Sequence, residues 1–121
     1  MDNRLREEIL NMHAQVCSGL ADTNRIMILY ALNQGPSNVS DLAVTLDLPQ
    51  PTVSRHLKVL RERAMVVAER EGQSMNYSLG DARIIQALDL LREFMAETIE
   101  NQASLVRAII SISDVETGAK A

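Results

Sequence analysis

The segment LPQPTVSRHLKVL, residues 48–60, combines hydroxyl, amide and cationic side chains at helical spacing. Val53, Leu57 and Leu60 recur at i, i+4 and i+7, so they share one face of a predicted helix. Pro51 marks the start of that helix, because the missing N–H of proline has no intrahelical partner in a first turn. The other faces carry side chains that can hydrogen-bond to bases or pair with phosphates: Gln50, Thr52, Ser54, Arg55, Lys58 and Arg61.

The chemistry of these side chains suits the major groove of duplex DNA. A helix enters that groove with its N-terminal residues nearest the base edges, which display hydrogen-bond donors and acceptors. Arginine can hold guanine or phosphate through a bidentate fork. We predict that four residues lie close to bases: Gln50, Thr52, Ser54 and Arg55. We predict that three others contact phosphates, the last of them beside the tip of a following hairpin: Lys58, Arg61 and Arg70.

Charge is unevenly distributed along the chain. The 121 residues have a net charge of -4, which by itself argues against a nucleic-acid partner. Residues 55–70 contain five basic and two acidic side chains, whereas residues 1–54 contain three and six, and residues 71–121 contain four and eight. A basic segment in an acidic chain can bind phosphate at one surface while the remaining surface repels it.

Hydrophobic periodicity predicts three helices before this segment. Asp22 or Thr23 can cap the second helix, and a short third helix is predicted from about Val39 to Leu46, capped by Ser37 or Asn38. The first helix is amphipathic, because apolar residues recur three or four positions apart: Leu5, Ile9, Met12, Val16 and Leu20.

After Ala64 the pattern changes to that of a two-stranded hairpin. The runs MVVAERE and MNYSL favour strands and flank a glycine-containing turn. A last helix is predicted from Asp81 to about Ile112, roughly 45 Å long at 1.5 Å per residue. That length exceeds the small core beside it, so we expect its surplus apolar stripe to meet a second copy of the chain. Residues 1–113 are predicted to form one domain, and residues 114–121 a polar tail.

The order of these elements is that of a winged helix-turn-helix, in which residues 48–60 contain the recognition helix. The predicted fold is mostly α, with about five helices and a small β-hairpin. An aromatic content of 2% agrees, because a core of Leu, Ile, Val, Met and Ala favours helices over a β-sandwich.

Two segments resemble the ArsR/SmtB family of winged-helix transcriptional regulators. DLAVTLDLPQPTVSRHLKVLRERAMV, residues 41–66, is similar to the signature region of that family, and ADTNRIMIL, residues 21–29, is similar to its second helix. The resemblance extends from about Val16 to Leu91. It implies a homodimer joined through the first and last helices, repression of nearby promoters, and release of operator DNA when an inducer binds.

The metal sites of that family are not matched in this sequence. Metal-sensing members carry a Cys-x-Cys pair in the third helix, and this chain has Asn38 and Ser40 at the corresponding positions. Neither side chain is a soft ligand. A second site in such members uses Asp and His residues of the last helix, but no histidine occurs from Asp81 to Ala121. We therefore predict no metal and no other cofactor, and the inducer stays open.

Cys17, the single cysteine, allows two interpretations. It lies beside the apolar stripe of the first helix and can be a small buried hydrophobe, since free cysteine is among the most buried residue types. Alternatively it is a redox-sensing or sulfur-sensing thiol, which requires exposure. His13 shares its helix face, so two copies could supply four metal ligands, but two ligands per chain are a weak pattern. His56 is interpreted as a structural or phosphate-binding group at the edge of its helix.

The sequence lacks the motifs that would support catalysis, such as a Gly-rich phosphate loop or a Gly-x-Ser-x-Gly nucleophile turn. It also lacks an apolar run long enough to cross a bilayer, and its charged N-terminus does not resemble a signal peptide. We therefore expect a cytoplasmic, DNA-binding transcriptional repressor that an inducer releases. The competing expectation is a winged-helix protein-interaction module that dimerises through its long last helix without reading DNA.

Overall fold

The computed structural model describes the backbone of residues 1–120 and the side chains of residues 1–112. Within that range the helices are α1 (Asn3–Met12), α2 (Thr23–Asn33), α3 (Val39–Leu46), α4 (Gln50–Glu62) and α5 (Arg83–Lys120), and the strands are β1 (Val66–Glu71) and β2 (Ser74–Leu79). Two compact units are present, Met1–Ile85 and the segment from Gln86 onward. The predicted order of five helices and one hairpin is confirmed.

Helices α2, α3 and α4 enclose the core of the first unit. Each contacts the other two, and α4 also contacts β1. The most buried side chains are all aliphatic, with at most 1% of their surface exposed: Ile28, Leu29, Leu42, Val53, Leu57, Leu60 and Val66. Full burial of one such side chain contributes about 1.5–3 kcal/mol, so this cluster holds the three helices together.

Side-chain caps define where α2 and α3 begin. The Asp22 carboxylate accepts a hydrogen bond from the N–H of Asn24 at 2.8 Å, and the Asn38 amide oxygen accepts one from the N–H of Asp41 at 2.8 Å. These caps satisfy backbone donors that the first turn of a helix leaves unpaired. Helix α3 ends at Leu46, and the left-handed φ of 53° at the next residue, Asp47, turns the chain toward α4.

The two antiparallel strands form a hairpin, or wing, with a tight turn that begins at Gly72. Glu71 lies opposite Ser74 across this turn. Gly72 has a φ of 62°, which glycine adopts readily and which suits a two-residue hairpin turn. Ser37, just before α3, forms a bridge to Tyr77 of β2 through two backbone hydrogen bonds of 2.8 and 2.9 Å. The bridge attaches the second strand of the wing to the helical core.

The base of the wing is fixed by a close crossing of the backbone at Gly80. The N–H of Gly80 donates to the Met65 carbonyl oxygen at 2.9 Å. A Cβ atom on Gly80 would lie 2.2 Å from the Ala64 carbonyl oxygen, so a larger residue requires the backbone to move. Ala64 itself has a left-handed φ of 59°.

The first helix extends beyond α1. A π-helical segment, His13–Cys17, continues α1 and is followed by Ser18 in helical conformation. The apolar spacing predicts a helix here but not this change of pitch. Leu5, Ile9 and Met12 of the predicted stripe are exposed. This part of the stripe is thus not covered by the described part of the chain, whereas Val16 and Leu20, at its C-terminal end, are half-buried.

Helix α5 leaves most of its large apolar side chains exposed. More than half of the surface is exposed in Leu90, Leu91, Phe94, Met95, Ile99, Leu105, Val106, Ile109, Ile110 and Ile112. Within the described range no helix is long enough and apolar enough to cross a lipid bilayer. The predicted polar tail, residues 114–121, lies outside the residues whose side chains are described.

An exposed ion pair stands at the start of α5. Arg83 Nη2 lies 2.7 Å from Asp81 Oδ2, and the backbone N–H of Arg83 donates to Asp81 Oδ1 at 2.8 Å. These two hydrogen bonds lower the pKa of Asp81 from 3.8 to about 2. The carboxylate is therefore ionised at neutral pH, the state in which it accepts both hydrogen bonds.

Replacing Gly80 by alanine is expected to lower the free energy of unfolding by about 3 kcal/mol, the upper end of the usual cost of overpacking, because the obstructing atom belongs to the backbone. Gly72→Ala is the matched control. Nothing lies within 4 Å of its Cβ position, so only the strain of a positive φ is added, about 1 kcal/mol. Urea unfolding measures both variants, and equal losses would contradict the proposed clash.

Candidate nucleic-acid interface

One face of α4 is buried in the core of the first unit. Val53, Leu57 and Leu60 are each 0% exposed, as their helical spacing predicts. The helix begins at Gln50, one residue before Pro51, which lies in the first turn where its missing N–H leaves no hydrogen bond unmade. Burial of this face fixes which faces of α4 can contact another molecule.

The opposite faces of α4 carry the predicted contact residues. All are exposed except Thr52, which is half-buried: Gln50, Thr52, Ser54, Arg55, Lys58 and Arg61. Ser54, Lys58 and Arg61 recur at i, i+4 and i+7 and therefore form one exposed row. Six of the seven predicted DNA contacts thus lie on a single helix.

Thr52 and Arg55 form a pair near the N-terminal end of α4. Arg55 Nη2 donates to Thr52 Oγ1 at 3.4 Å. This distance is close to the limit for a hydrogen bond, so a base or phosphate oxygen can replace Thr52 as the acceptor at small cost.

The basic residues of this surface are not neutralised by acidic neighbours. Among the described side chains, no carboxylate lies within 4.0 Å of Arg55, Lys58, Arg61 or Arg70. Elsewhere in the chain arginines do pair with carboxylates, namely Arg4 with Glu8, Arg83 with Asp81 and Arg92 with Asp89. The surface therefore retains the positive charge that a polyanion requires.

Arg70, the seventh predicted contact, lies on the wing. It is exposed on β1, opposite Met75 and two residues before Gly72. Because it belongs to a different element from the other six, one ligand must extend from α4 to the wing to contact all seven. A DNA duplex is long enough to do so, as winged helix-turn-helix geometry requires.

The partner of His56 could not be predicted from the sequence. Arg25 Nη1 lies 3.3 Å from His56 Nδ1, and because a guanidinium only donates, Nδ1 is the acceptor. On the other side of the ring, Nε2 lies 3.9 Å from Asp22 Oδ1. Of the two interpretations of His56, the structure supports the structural one. No signal in the sequence joins Arg25 to His56, which follows it by 31 positions.

Arg63 belongs to the basic segment but is turned away from the exposed row of α4. Its half-buried side chain donates from Nε to Ser18 Oγ at 3.3 Å and from Nη1 to the Val59 carbonyl oxygen at 3.3 Å. It was not among the predicted DNA contacts, and these partners give it a structural role.

Cys17 is a free, exposed thiol at the end of the π-helical segment. It is therefore not a core residue of the single chain. Two other residues occupy the positions where metal-sensing members of the family carry thiolates. Asn38 caps α3, and Ser40 is exposed. Among the side chains that the structure describes, no three His, Cys, Asp or Glu groups are close enough to hold a metal ion.

Comparison with known proteins identifies the family. Residues 22–66, from the cap of α2 to the first residue of β1, match the profile described as "Bacterial regulatory protein, arsR family". The HTH-type transcriptional regulator CmtR of Mycobacterium bovis is 34% identical over 112 residues, which cover 93% of this chain and 92% of CmtR. The chain belongs to the ArsR family. The resemblance of residues 21–29 and 41–66 is thereby confirmed.

A solved structure has the same fold as this chain. A solution NMR structure of fragment 1–100 of Mb0332 from Mycobacterium bovis has a TM-score of 0.71 and 27% identity, over 84% of this chain and 93% of that one. That fragment is described as the homodimeric winged helix-turn-helix DNA-binding domain of a possible ArsR-family transcriptional regulator. The predicted fold class is therefore confirmed for this ArsR-family chain.

The matches to several relatives cover only part of each protein. NmtR of Mycobacterium tuberculosis, an HTH-type transcriptional regulator, is 46% identical over 79 residues, which cover 63% of this chain and 66% of NmtR. Across NmtR and three further regulators, the chain spans 55–66% of the length of the relative. The matched proteins are transcriptional regulators and not enzymes.

Truncating Leu57 to alanine is expected to lower the free energy of unfolding by about 2–5 kcal/mol, because the fully buried side chain leaves a cavity under α4. Val44→Ala is the control, since Val44 is 82% exposed and its truncation should change stability by less than about 0.5 kcal/mol. Denaturant unfolding measures the difference. A Leu57→Ala variant as stable as Val44→Ala would show that burial of this face does not hold α4 in place.

Proposed function

We propose that this ArsR-family protein is a sequence-specific, DNA-binding transcriptional regulator that acts as a homodimer in the cytoplasm. As a repressor it occupies double-stranded operator DNA and leaves when an inducer binds. In each protomer α4 enters the major groove, and the wing contacts the backbone of the same duplex.

One observation carries this proposal. Helix α4 buries one complete face and presents hydroxyl, amide and basic side chains on the others, and none of the described carboxylates lies within 4.0 Å of Arg55, Lys58 or Arg61. In an ArsR-family chain with a net charge of -4, such a surface suits a polyanion better than a basic or apolar protein partner. It therefore favours DNA binding over the alternative of an interaction module that does not read DNA.

The proposed contacts follow from position along the helix. The residues near its N-terminal end are assigned to base edges, where short polar side chains and an arginine fork can distinguish base pairs: Gln50, Thr52, Ser54 and Arg55. The residues further along α4 and on the wing are assigned to phosphates, which position the protein without reading sequence: Lys58, Arg61 and Arg70.

A homodimer is supported by the exposed apolar faces of the first and last helices. Large apolar side chains left exposed along α1 and α5 are stabilised when a second surface covers them. The Mb0332 fragment, which covers 84% of this chain, is described as homodimeric. A two-fold dimer presents its recognition helices to successive major grooves about 34 Å apart, so the operator should be pseudo-palindromic.

Purified protein is expected to bind DNA from upstream of its own coding region with an affinity that falls steeply with salt. Lys58→Gln and Arg61→Gln should each lower the slope of log K against log salt by about 1.8, since each removes one phosphate contact from each protomer of the dimer. Arg55→Ala should weaken binding by about 1–3 kcal/mol and relax the sequence preference. Fluorescence anisotropy over a salt series measures all three variants.

Arg107→Gln is the matched control for these substitutions. The substitution removes one positive charge from α5. Among the described groups Arg107 contacts only Ser104, which lies on the same helix. The salt slope should therefore be unchanged. Absence of salt-dependent binding to upstream DNA by the wild-type protein would refute the DNA-binding proposal in favour of the interaction module.

For the inducer we propose a thiol-reactive signal at Cys17. The Cys17 thiol is free and exposed on the single chain, and thiol chemistry requires such access. Oxidant or persulfide should release operator DNA from wild-type protein but not from Cys17→Ser. Anisotropy of the preformed complex during titration measures the release, with metal ions as a parallel series. Equal release from both proteins would exclude Cys17 as the sensor.

A further inference from the structure

Two arginine side chains converge on Ser18 and Gly19, at the end of the first helix. We call these two residues the joint. Arg25 donates from Nε to the Gly19 carbonyl oxygen at 2.7 Å and from Nη2 to the Ser18 carbonyl oxygen at 3.2 Å. Arg63 donates from Nε to Ser18 Oγ at 3.3 Å. All four residues belong to the first compact unit.

The joint accepts these hydrogen bonds for a physical reason. The last carbonyl groups of a helix have no intrahelical donor and carry a partial negative charge. A guanidinium supplies five donors in a rigid plane, so one side chain can satisfy several such acceptors at once. Arg25 therefore caps the C-terminal end of the first helix.

The same two arginines connect the joint to the recognition helix. The Arg25 guanidinium also contacts His56 Nδ1, in the middle of α4, at 3.3 Å. Arg63 directly follows the last residue of α4. Gly19 leaves no space between the elements, because a Cβ atom there would lie 2.8 Å from Arg63 Cδ. The middle and the C-terminal end of α4 are both held to the same two residues.

Arg25 and Arg63 differ from the basic residues assigned to DNA. Both are half-buried, and their donors are directed at acceptors of the protein itself. Arg55, Lys58 and Arg61 are exposed, and no carboxylate among residues 1–112 lies within 4.0 Å of them. The chain therefore uses one set of cations to hold α4 and another to contact its ligand.

We propose that Arg25, acting through His56, is a positioning residue of the DNA interface that sets the orientation of α4 relative to the first helix. The inference rests on the proposed function, because the first helix belongs to the dimer surface proposed above. In a two-fold dimer, the orientation of α4 on this helix decides whether both recognition helices meet half-sites about 34 Å apart. Loss of the contact between Arg25 and His56 leaves the buried face of α4 in the core. The angle between α4 and the first helix is then no longer fixed.

Arg25→Gln and His56→Leu test this role. Each is expected to weaken binding to the full operator about tenfold, the usual effect of losing a hydrogen bond to a charged group. Neither should change the salt slope, since Arg25 contacts no phosphate. His56→Gln keeps an acceptor for the guanidinium and should bind nearly as the wild type does. Arg107→Gln, which removes the same charge from α5, should bind normally.

Two further measurements separate positioning from other roles. Binding to a single half-site should be nearly unaffected in Arg25→Gln, because only the relation between two recognition helices is disturbed. Hydrogen exchange of the α4 amides in the free protein should become faster while the melting temperature stays close to that of the wild type. A merely destabilised fold would instead lower affinity for half-site and full operator together, and would overturn the proposal.

The remaining outcomes also decide the question. A salt slope lowered by about 1.8 in Arg25→Gln, one phosphate contact from each protomer, would make Arg25 a phosphate contact and overturn the positioning role. Unchanged affinity for the full operator would do the same. Wild-type protein that binds no DNA would refute the proposed function before any variant is compared. Hydrogen exchange would then still test Arg25, since unchanged exchange of α4 shows that it does not hold the helix.

Discussion

Burial of a single face of α4 is the interaction on which the rest of this structure depends. Val53, Leu57 and Leu60 are wholly enclosed by neighbouring elements, which sets the rotation of the helix about its own axis. Because helical positions are related by fixed angles, that rotation also decides which side chains face outward. The polar and basic residues of α4 are exposed for this reason, and no separate interaction is needed to direct them.

Electrostatics then determines what this outward surface can bind. Acidic residues outnumber basic ones in the chain by sixteen to twelve, yet the exposed cations of α4 and the wing have no carboxylate within 4.0 Å in the part of the chain whose side chains are described. Repulsion between the acidic remainder and phosphate limits binding in other orientations. A net negative charge is thus compatible with DNA binding, and it favours one mode of approach.

Local signals predicted most of the elements. Helix α3 occupies Val39–Leu46 as expected, because a capping residue, an apolar period and a turn residue all act over a few positions. The caps proved to be Asp22 and Asn38. The π-helical pitch of residues 13–17 was not predicted, since it is a change in hydrogen-bond partners that residue types do not encode. The bridge from Ser37 to Tyr77 joins segments forty positions apart and has no local signal.

The sequence by itself determined the two faces of the recognition helix, the basic segment within an acidic chain and the order of a winged helix-turn-helix, because each depends on spacing over a few residues. Only the tertiary structure decided which basic side chains stay exposed and which turn inward. Arg63 and Arg61 are two positions apart and equally basic, yet Arg63 contacts Ser18, 45 positions earlier, while Arg61 is exposed. Such residues come into contact only after the helices associate, so composition and periodicity do not predict these contacts.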